Sequence, residues 1–137
     1  NQPNKKYEGN GVETLLDGLK GSQTYTDGKW LGFQGDDLET VITFDNLTDI
    51  SKIELVFLEN NHAWIFMPTK VSVEVSTDGI HFKPLNTNFL PINQTENNKG
   101  LQSIIISEKA QKVKAVKISA KNRKVCPNWH SGNGKPC

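Results

Sequence analysis

Apolar and polar residues alternate along most of this chain. In LETVITF, the side chains of Leu38, Thr40, Ile42 and Phe44 share one face of an extended strand, since successive side chains of a strand point to opposite sides. The same period of two recurs in KIELVFLE, KVSVEVS, SIIIS and VKAVKISA. Only VETLLDGLKG has a helical pattern, and its glycines limit that helix to about one turn. The pattern therefore predicts short strands and almost no helix.

Turn residues separate the predicted strands. The Asp78-Gly79 pair in TDGIHF is a strong hairpin signal, with the next strand beginning near Phe82. Short strands joined by Gly-, Asn- and Pro-containing turns are typical of an all-β protein, an antiparallel β-sandwich or jelly roll. The sequence contains no internal repeat and no linker, so we expect residues 1–137 to form a single domain.

Composition argues against a strongly charged partner. The 137 residues carry a formal net charge of +1, and 23% of them are charged. Nucleic acids and anionic membranes usually select a basic stripe or cluster, which this sequence lacks. No segment reaches the ~18 consecutive apolar residues of a membrane-spanning helix. There is no initiator Met and no signal region, so we expect a mature fragment or one domain of a longer protein.

Three loops concentrate aromatic side chains beside polar ones. They are TYTDGKWLGFQGDD, NNHAWIFMP and NRKVCPNWHSGNGKPC, which together hold all three Trp residues. An aromatic ring can pack against the C–H face of a sugar while planar polar groups bind its hydroxyls. The alternative is that these rings cap the core. Trp30 and Phe66, at strand ends, fit the core better, whereas Trp64, Trp129 and His130 are predicted to be exposed.

The sequence offers little for catalysis. It contains no nucleophile elbow, P-loop, zinc-protease motif or Cys–His pair with a positioned base. Asp36 and Asp37 could be imagined as a glycosidase pair, but adjacent strand residues point to opposite faces. We therefore predict that this chain is not an enzyme.

Two cysteines, Cys126 and Cys137, lie in one Pro- and Gly-rich segment. With His130 they would supply three zinc ligands, one fewer than a structural zinc site requires. They could instead form a local disulfide, which would indicate an oxidising compartment, or remain two reduced thiols. The sequence leaves both alternatives open.

Several motifs resemble a known family. LLDGLKGSQTYTDGKWLGF, followed by LETVITFDNLTDISKIEL and VSVEVSTDGIHFKPL, resembles factor V/VIII type C, or discoidin, domains, which include the family 32 carbohydrate-binding modules. The four motifs DGLKGS, DGKWLGFQG, WIFMP and PNWHSGNG are more similar still to domains that follow the catalytic barrel of family 20 β-hexosaminidases, the chitobiases of Bacteroides-type bacteria. The resemblance covers nearly the whole chain and implies a galactose-binding-domain-like jelly roll without catalytic activity.

The resemblance also implies site residues. The ligand surface maps onto loop residues at one end of the domain, namely Tyr25, Phe33, His62, Trp64, Arg123, Trp129 and His130. A structural calcium ion would use the Asp17 carboxylate, the Leu19 carbonyl and the Ser22 hydroxyl, oxygen donors of the type that calcium prefers. Related domains continue into a last strand that this sequence lacks, which would expose a sheet edge.

The expected partners follow from the same resemblance. We expect a monomer that binds a glycan or small sugar and accompanies a parent catalytic domain, a β-N-acetylhexosaminidase, in the periplasm, at the cell surface or outside the cell. We expect neither nucleic acid nor membrane as a partner. The main alternative is a structural module that packs on the catalytic barrel through its aromatic loops and binds no sugar.

Overall fold

The computed structural model describes residues 1–89 and 95–137, in which extended chain dominates. Four strands, β1 (Leu38–Asn60), β2 (Lys70–Ser76), β3 (Lys83–Phe89) and β4 (Lys99–Lys121), form an antiparallel sheet in the order β1-β4-β2-β3. Short 3₁₀ helices span Lys5–Tyr7, Gly11–Leu15 and Asn61–Ala63. The predicted all-β, antiparallel fold class is confirmed, and so is the single short helical turn of VETLLDGLKG. Among the described residues, no helix is long and apolar enough to cross a bilayer.

The central ladder joins β1 to β4 from the pair Leu38–Ala120 to the pair Asn60–Lys99. The alternating pattern predicted two separate strands in place of β1 and two in place of β4, and this prediction is wrong. The chain stays extended through DNLTD and only shifts register, between Thr43 and Thr48 and again between Ile50 and Lys52. Such irregularities bend and twist a ladder without ending it.

The hairpin between β2 and β3 confirms the Asp78-Gly79 prediction. The Asp78 Oδ1 accepts hydrogen bonds from the backbone N–H groups of Ile80 and His81, each at 2.8 Å. Gly79 has a φ of +79°, a conformation that favours glycine. This turn lies at the C-terminal end of β2, whereas the aromatic loops described below lie at the N-terminal end.

The core lies on one face of the sheet. Its fully buried members come from β2 and β4, and the apolar face of β1 packs against them while remaining partly exposed. This half-covered face lines a cavity of about 780 Å³, which extends to Trp30 and Phe33 of the N-terminal segment and to Trp64 and Phe66. The cavity surface beneath the aromatic loops is therefore apolar.

Candidate functional site

Two loops at one end of the sheet bring four rings together. Trp64 and Phe66 precede β2, and Trp129 and His130 follow β4; we call these four residues the aromatic cluster. The His130 ring is 5.4 Å from that of Trp64, 5.1 Å from that of Phe66 and 6.0 Å from that of Trp129, measured between centroids. All three contacts are edge-to-face, an arrangement that aromatic rings prefer. Imidazole thus forms the centre of the cluster.

The loop before β2 presents Trp64 on a tight turn. Asn60 and Ile65 exchange backbone hydrogen bonds of 2.8 and 3.0 Å, and the Asn60 side chain accepts from the Ala63 N–H at 3.3 Å. Trp64 closes this turn in the left-handed conformation, with a φ of 66°. Such backbone strain costs about 1–3 kcal/mol and often occurs at binding sites. The turn leaves the Trp64 side chain 41% exposed, as the sequence predicted.

His130 is buried, which corrects the expectation that it is exposed. Only 3% of its surface is accessible. Its Nδ1 accepts a hydrogen bond from the Gly132 N–H at 2.9 Å, so the ring proton is on Nε2, which donates to the Asn61 carbonyl at 2.8 Å. Both ring nitrogens therefore have protein partners. His130 joins the two loops instead of facing a ligand.

Gly132 is a site residue that the sequence reading did not single out. A Cβ at this position would lie 2.6 Å from the Cη2 atom of Trp64, and 3.1 Å from the Nδ1 atom of His130. Only glycine therefore lets the Trp64 ring lie against this backbone. Trp129, which the sequence predicted to be exposed, is instead half-buried, because its ring contacts that of Phe66 at 6.1 Å between centroids. Phe66 is also half-buried, in agreement with a packing role.

Arg123 and His62 lie beside the aromatic cluster. The Arg123 guanidinium carbon is 6.0 Å from the centre of the Phe66 ring, at the outer limit of a cation–π contact. Arg123 is half-buried, whereas His62 is exposed on the 3₁₀ helix that leads to Trp64. The structure therefore places five of the seven predicted ligand residues in one region.

Tyr25 and Phe33 are arranged differently from the other five. Tyr25 is exposed and Phe33 is half-buried, and both line the apolar cavity. Among the described residues, neither ring contacts the aromatic cluster. The Phe33 carbonyl accepts a 2.6 Å hydrogen bond from the Asn122 side chain, which gives this residue a structural contact. Trp30 packs on Gly21 and donates from Nε1 to the Ser22 carbonyl at 3.0 Å, which agrees with its predicted packing role.

Asp37 anchors the chain just before Arg123. Its carboxylate accepts hydrogen bonds from Lys121 Nζ at 2.7 Å and from the Asn122 N–H at 2.9 Å, and it pairs with Lys124 Nζ at 2.9 Å. The Lys121 and Lys124 ammonium groups hold the pKa of the Asp37 carboxyl well below its ordinary value. This acid therefore fixes the start of the C-terminal loop.

Glu96 and Ser131 add polar groups that sequence reasoning missed. Ser131 hydrogen-bonds to the Glu96 carboxylate and so holds the pKa of that group below its ordinary value. Ser131 directly follows His130 in the chain and is exposed. Glu96 lies in a distant segment, and no motif linked the two. A carboxylate and a hydroxyl thus stand next to the aromatic cluster.

A buried amide network supports the same region. Glu59 is 3% exposed, and its carboxylate accepts hydrogen bonds from the side-chain amides of Asn61, Asn98 and Gln102 at 3.2–3.5 Å. Asn61 also donates to the Thr95 carbonyl at 2.7 Å. These bonds connect the loop that carries Trp64 to the segment that carries Glu96.

The predicted calcium donors form local turns. Asp17 Oδ1 accepts from the Leu19 N–H at 2.8 Å, and the Ser22 N–H donates to Asp27 Oδ2 at 2.7 Å. Within residues 1–89 and 95–137, no three His, Cys, Asp or Glu side chains gather as a metal-binding group. Calcium takes 6–8 oxygen ligands, so Asp17, the Leu19 carbonyl and Ser22 would supply only part of its coordination.

The family of the chain is shown by comparison. The family model of the F5/8 type C domain matches residues 2–135. The chain belongs to the F5/8 type C domain family. Among curated proteins, none matches it. F5/8 type C domains are non-catalytic binding modules that commonly bind carbohydrates, which agrees with the all-β fold and with the expectation of a binding domain.

Proposed function

We propose that this F5/8 type C domain is a carbohydrate-binding module of a secreted, periplasmic or cell-surface β-N-acetylhexosaminidase of the chitobiase type. Its ligand would be a glycan or small sugar with a terminal GlcNAc, GalNAc or galactose residue. The observation that carries this proposal is the exposed Trp64 ring, held by a strained turn and packed against Gly132 and His130. A fixed aromatic face of this kind needs little ordering when a sugar stacks on it.

The polar groups around Trp64 would select the sugar. His62 is exposed on the preceding helical turn, and Ser131, which directly follows His130, hydrogen-bonds to Glu96. A carboxylate that stays ionised accepts hydrogen bonds from sugar hydroxyls, and a serine hydroxyl can donate or accept. Trp129 contacts Phe66 and His130 within the cluster, and Arg123 lies against the Phe66 ring. Tyr25 and Phe33 would extend the surface along the cavity.

A single small site of this type binds weakly. In a parent hydrolase, tethering would raise the effective sugar concentration near the catalytic domain, so that weak binding still improves retention on a glycan. The module could thus contribute to activity without a catalytic residue of its own.

The experiment that tests the proposal is an NMR titration of the isolated domain with GlcNAc, GalNAc and galactose. The readout is the indole N–H signals of the three Trp residues. We expect one sugar to shift the Trp64 and Trp129 signals and to leave that of Trp30 in place. If no sugar shifts any indole signal at tens of millimolar, the proposed sugar site is wrong.

The alternative is a packing module that docks on a catalytic barrel. One observation favours a docking surface, although not at the aromatic cluster. The N-terminal segment exposes four aliphatic side chains, those of Val12, Leu15, Leu16 and Leu19, and exposed apolar patches often mark protein interfaces. Sugar-induced shifts at Trp64 would show that the aromatic cluster itself is a binding site rather than a buried interface.

A further inference from the structure

The C-terminal loop closes on itself around two cysteines. Val125 and Pro136 form an isolated antiparallel bridge. Cys126 N–H donates to the Lys135 carbonyl at 2.8 Å, and Cys137 N–H donates to the Lys124 carbonyl at 3.1 Å. Trp129 and His130 lie between the two ends of this loop. Its closure therefore determines how these rings are presented.

The bridge places the two cysteines side by side. Each cysteine follows one member of the Val125–Pro136 pair by one residue, so both side chains lie on the same face of the short ladder. They are diagonal neighbours across the ladder. Both are free thiols in the structure, and they are in hydrogen-bond contact.

We propose that Cys126 and Cys137 are a dithiol site that a disulfide oxidant converts to an intraloop disulfide, clamping the loop that carries Trp129 and His130. The inference does not depend on sugar binding, since it concerns the loop itself. Disulfide formation would make the rigidity of the candidate site depend on redox conditions.

The two thiols differ in solvent exposure, and this difference determines which of them reacts first with the oxidant. Cys126 is 3% exposed, whereas Cys137 is only partly buried. The Cys137 thiolate attacks one sulfur of an oxidant such as glutathione disulfide, and one glutathione thiolate leaves. The Cys126 thiolate then attacks the Cys137 sulfur and releases the second glutathione. Two protein thiols lose two electrons and two protons, and the oxidant becomes two thiols.

The reaction should be slow at neutral pH. Burial and the neighbouring Cys126 thiol raise the pKa of Cys137 to about 11. Only the thiolate attacks a disulfide, so the rate should rise by roughly tenfold for each pH unit between pH 7 and 9. A slow, thiolate-limited step of this kind would keep the loop reduced unless an oxidising compartment or an oxidoreductase acts on it.

The test is to incubate the domain with glutathione disulfide at pH 8.5 and to measure its intact mass and melting temperature. We expect a monomer whose mass falls by about 2 Da, for two hydrogens lost, without a glutathione adduct. Its melting temperature should exceed that of the reduced domain by roughly 5 °C, because the crosslink restricts the unfolded chain. The Trp129 indole signal should move on oxidation, and that of Trp30 should not.

Two variants, each lacking one of the two cysteines, test the role of each thiol in the reaction. In Cys126→Ser, the reaction should stop at a glutathione adduct on Cys137, and in Cys137→Ser the buried Cys126 should stay unmodified. The proposal is overturned if the unmodified sequence also stops at an adduct, if it forms disulfide-linked dimers, or if oxidation lowers the melting temperature. Cys137→Ser changes the less buried position, so it provides a folded control if Cys126→Ser does not fold.

Discussion

His130 Nε2 donates a 2.8 Å hydrogen bond to the backbone carbonyl of Asn61, a residue 69 positions earlier in the chain. The bond joins the loop before β2 to the loop after β4, and it is buried among the rings of the aromatic cluster. The Gly132 N–H fixes the opposite ring nitrogen. The exposed Trp64 ring thus depends on a contact between two loops that are far apart in sequence.

Replacing His130 should therefore destabilise both loops. We expect His130→Ala to lower the free energy of unfolding by about 2–4 kcal/mol, since it leaves a cavity and an unpaired Asn61 carbonyl. Urea denaturation followed by tryptophan fluorescence measures the change. The matched control is His62→Ala, an exposed position where the change should stay within about 0.5 kcal/mol. Equal effects of the two substitutions would contradict the role given to His130.

Two substitutions at Trp64 distinguish the contribution of its ring to sugar binding from the effect of its backbone conformation on stability. Both Trp64→Ala and Trp64→Gly should weaken sugar binding at least tenfold, because each removes the stacking face. The glycine variant should be more stable than the alanine variant by about 1 kcal/mol, since the φ of 66° favours glycine. Sugar titration and urea denaturation give the two readouts.

Ile80→Ala, at the exposed hairpin turn, controls for loss of a surface apolar group. Unchanged sugar affinity in both Trp64 variants would exclude Trp64 as the platform.

Gly132 should tolerate no side chain while Trp64 is present. Gly132→Ala places a Cβ 2.6 Å from the Trp64 ring, so the ring must move and sugar affinity should fall at least tenfold. If the contact is responsible, adding Gly132→Ala to the Trp64→Gly variant should cost much less stability than adding it to the natural sequence. A double-mutant cycle measured by urea denaturation tests this coupling, and additive effects would refute it.

The sequence predicted local features well. Asp78-Gly79 specified its hairpin because the turn needs only neighbouring residues, and turn-forming neighbours correctly indicated that Trp64 is exposed. The burial of His130 could not be predicted in this way, because its partner Asn61 is distant in sequence. Glu96 and Ser131 were missed for the same reason. The family resemblance named seven loop residues, of which the structure brings five into one region, and only the structure distinguishes a ring that faces solvent from one that holds the loops together.

Calcium binding near Asp17 should raise the stability of the domain. With Asp17, the Leu19 carbonyl and Ser22 as donors, we expect dissociation constants on the order of 0.1–1 mM. At 10 mM calcium, the melting temperature should then rise by a few degrees relative to a sample in chelator. Asp17→Asn should abolish the rise, whereas Asp49→Asn, at an exposed acid distant in sequence, should retain it. No calcium-dependent rise in the unmodified domain would exclude the site.

Asp37 should make stability depend on pH in the acidic range. Its side chain is 18% exposed, and its two ammonium partners and the Asn122 N–H bind the ionised carboxylate more strongly than the neutral acid. Because its pKa is lower in the folded than in the unfolded chain, the unfolded state binds more protons as pH falls. The stabilisation is therefore complete above about pH 5, where the unfolded carboxyl is ionised, and it declines below about pH 4.

Asp37→Asn should thus cost about 1–2 kcal/mol at pH 7, and this difference from the natural sequence should shrink as the pH is lowered towards 3. Urea denaturation at a series of pH values measures both free energies. The matched control is Asp49→Asn, whose carboxylate lies 3.4 Å from Lys112 with both side chains largely exposed; its effect should stay below about 0.5 kcal/mol at every pH. A difference for Asp37→Asn that is the same at pH 7 and pH 3 would show that the lost interaction is not ionic, and that the Asp37 anchor acts through packing alone.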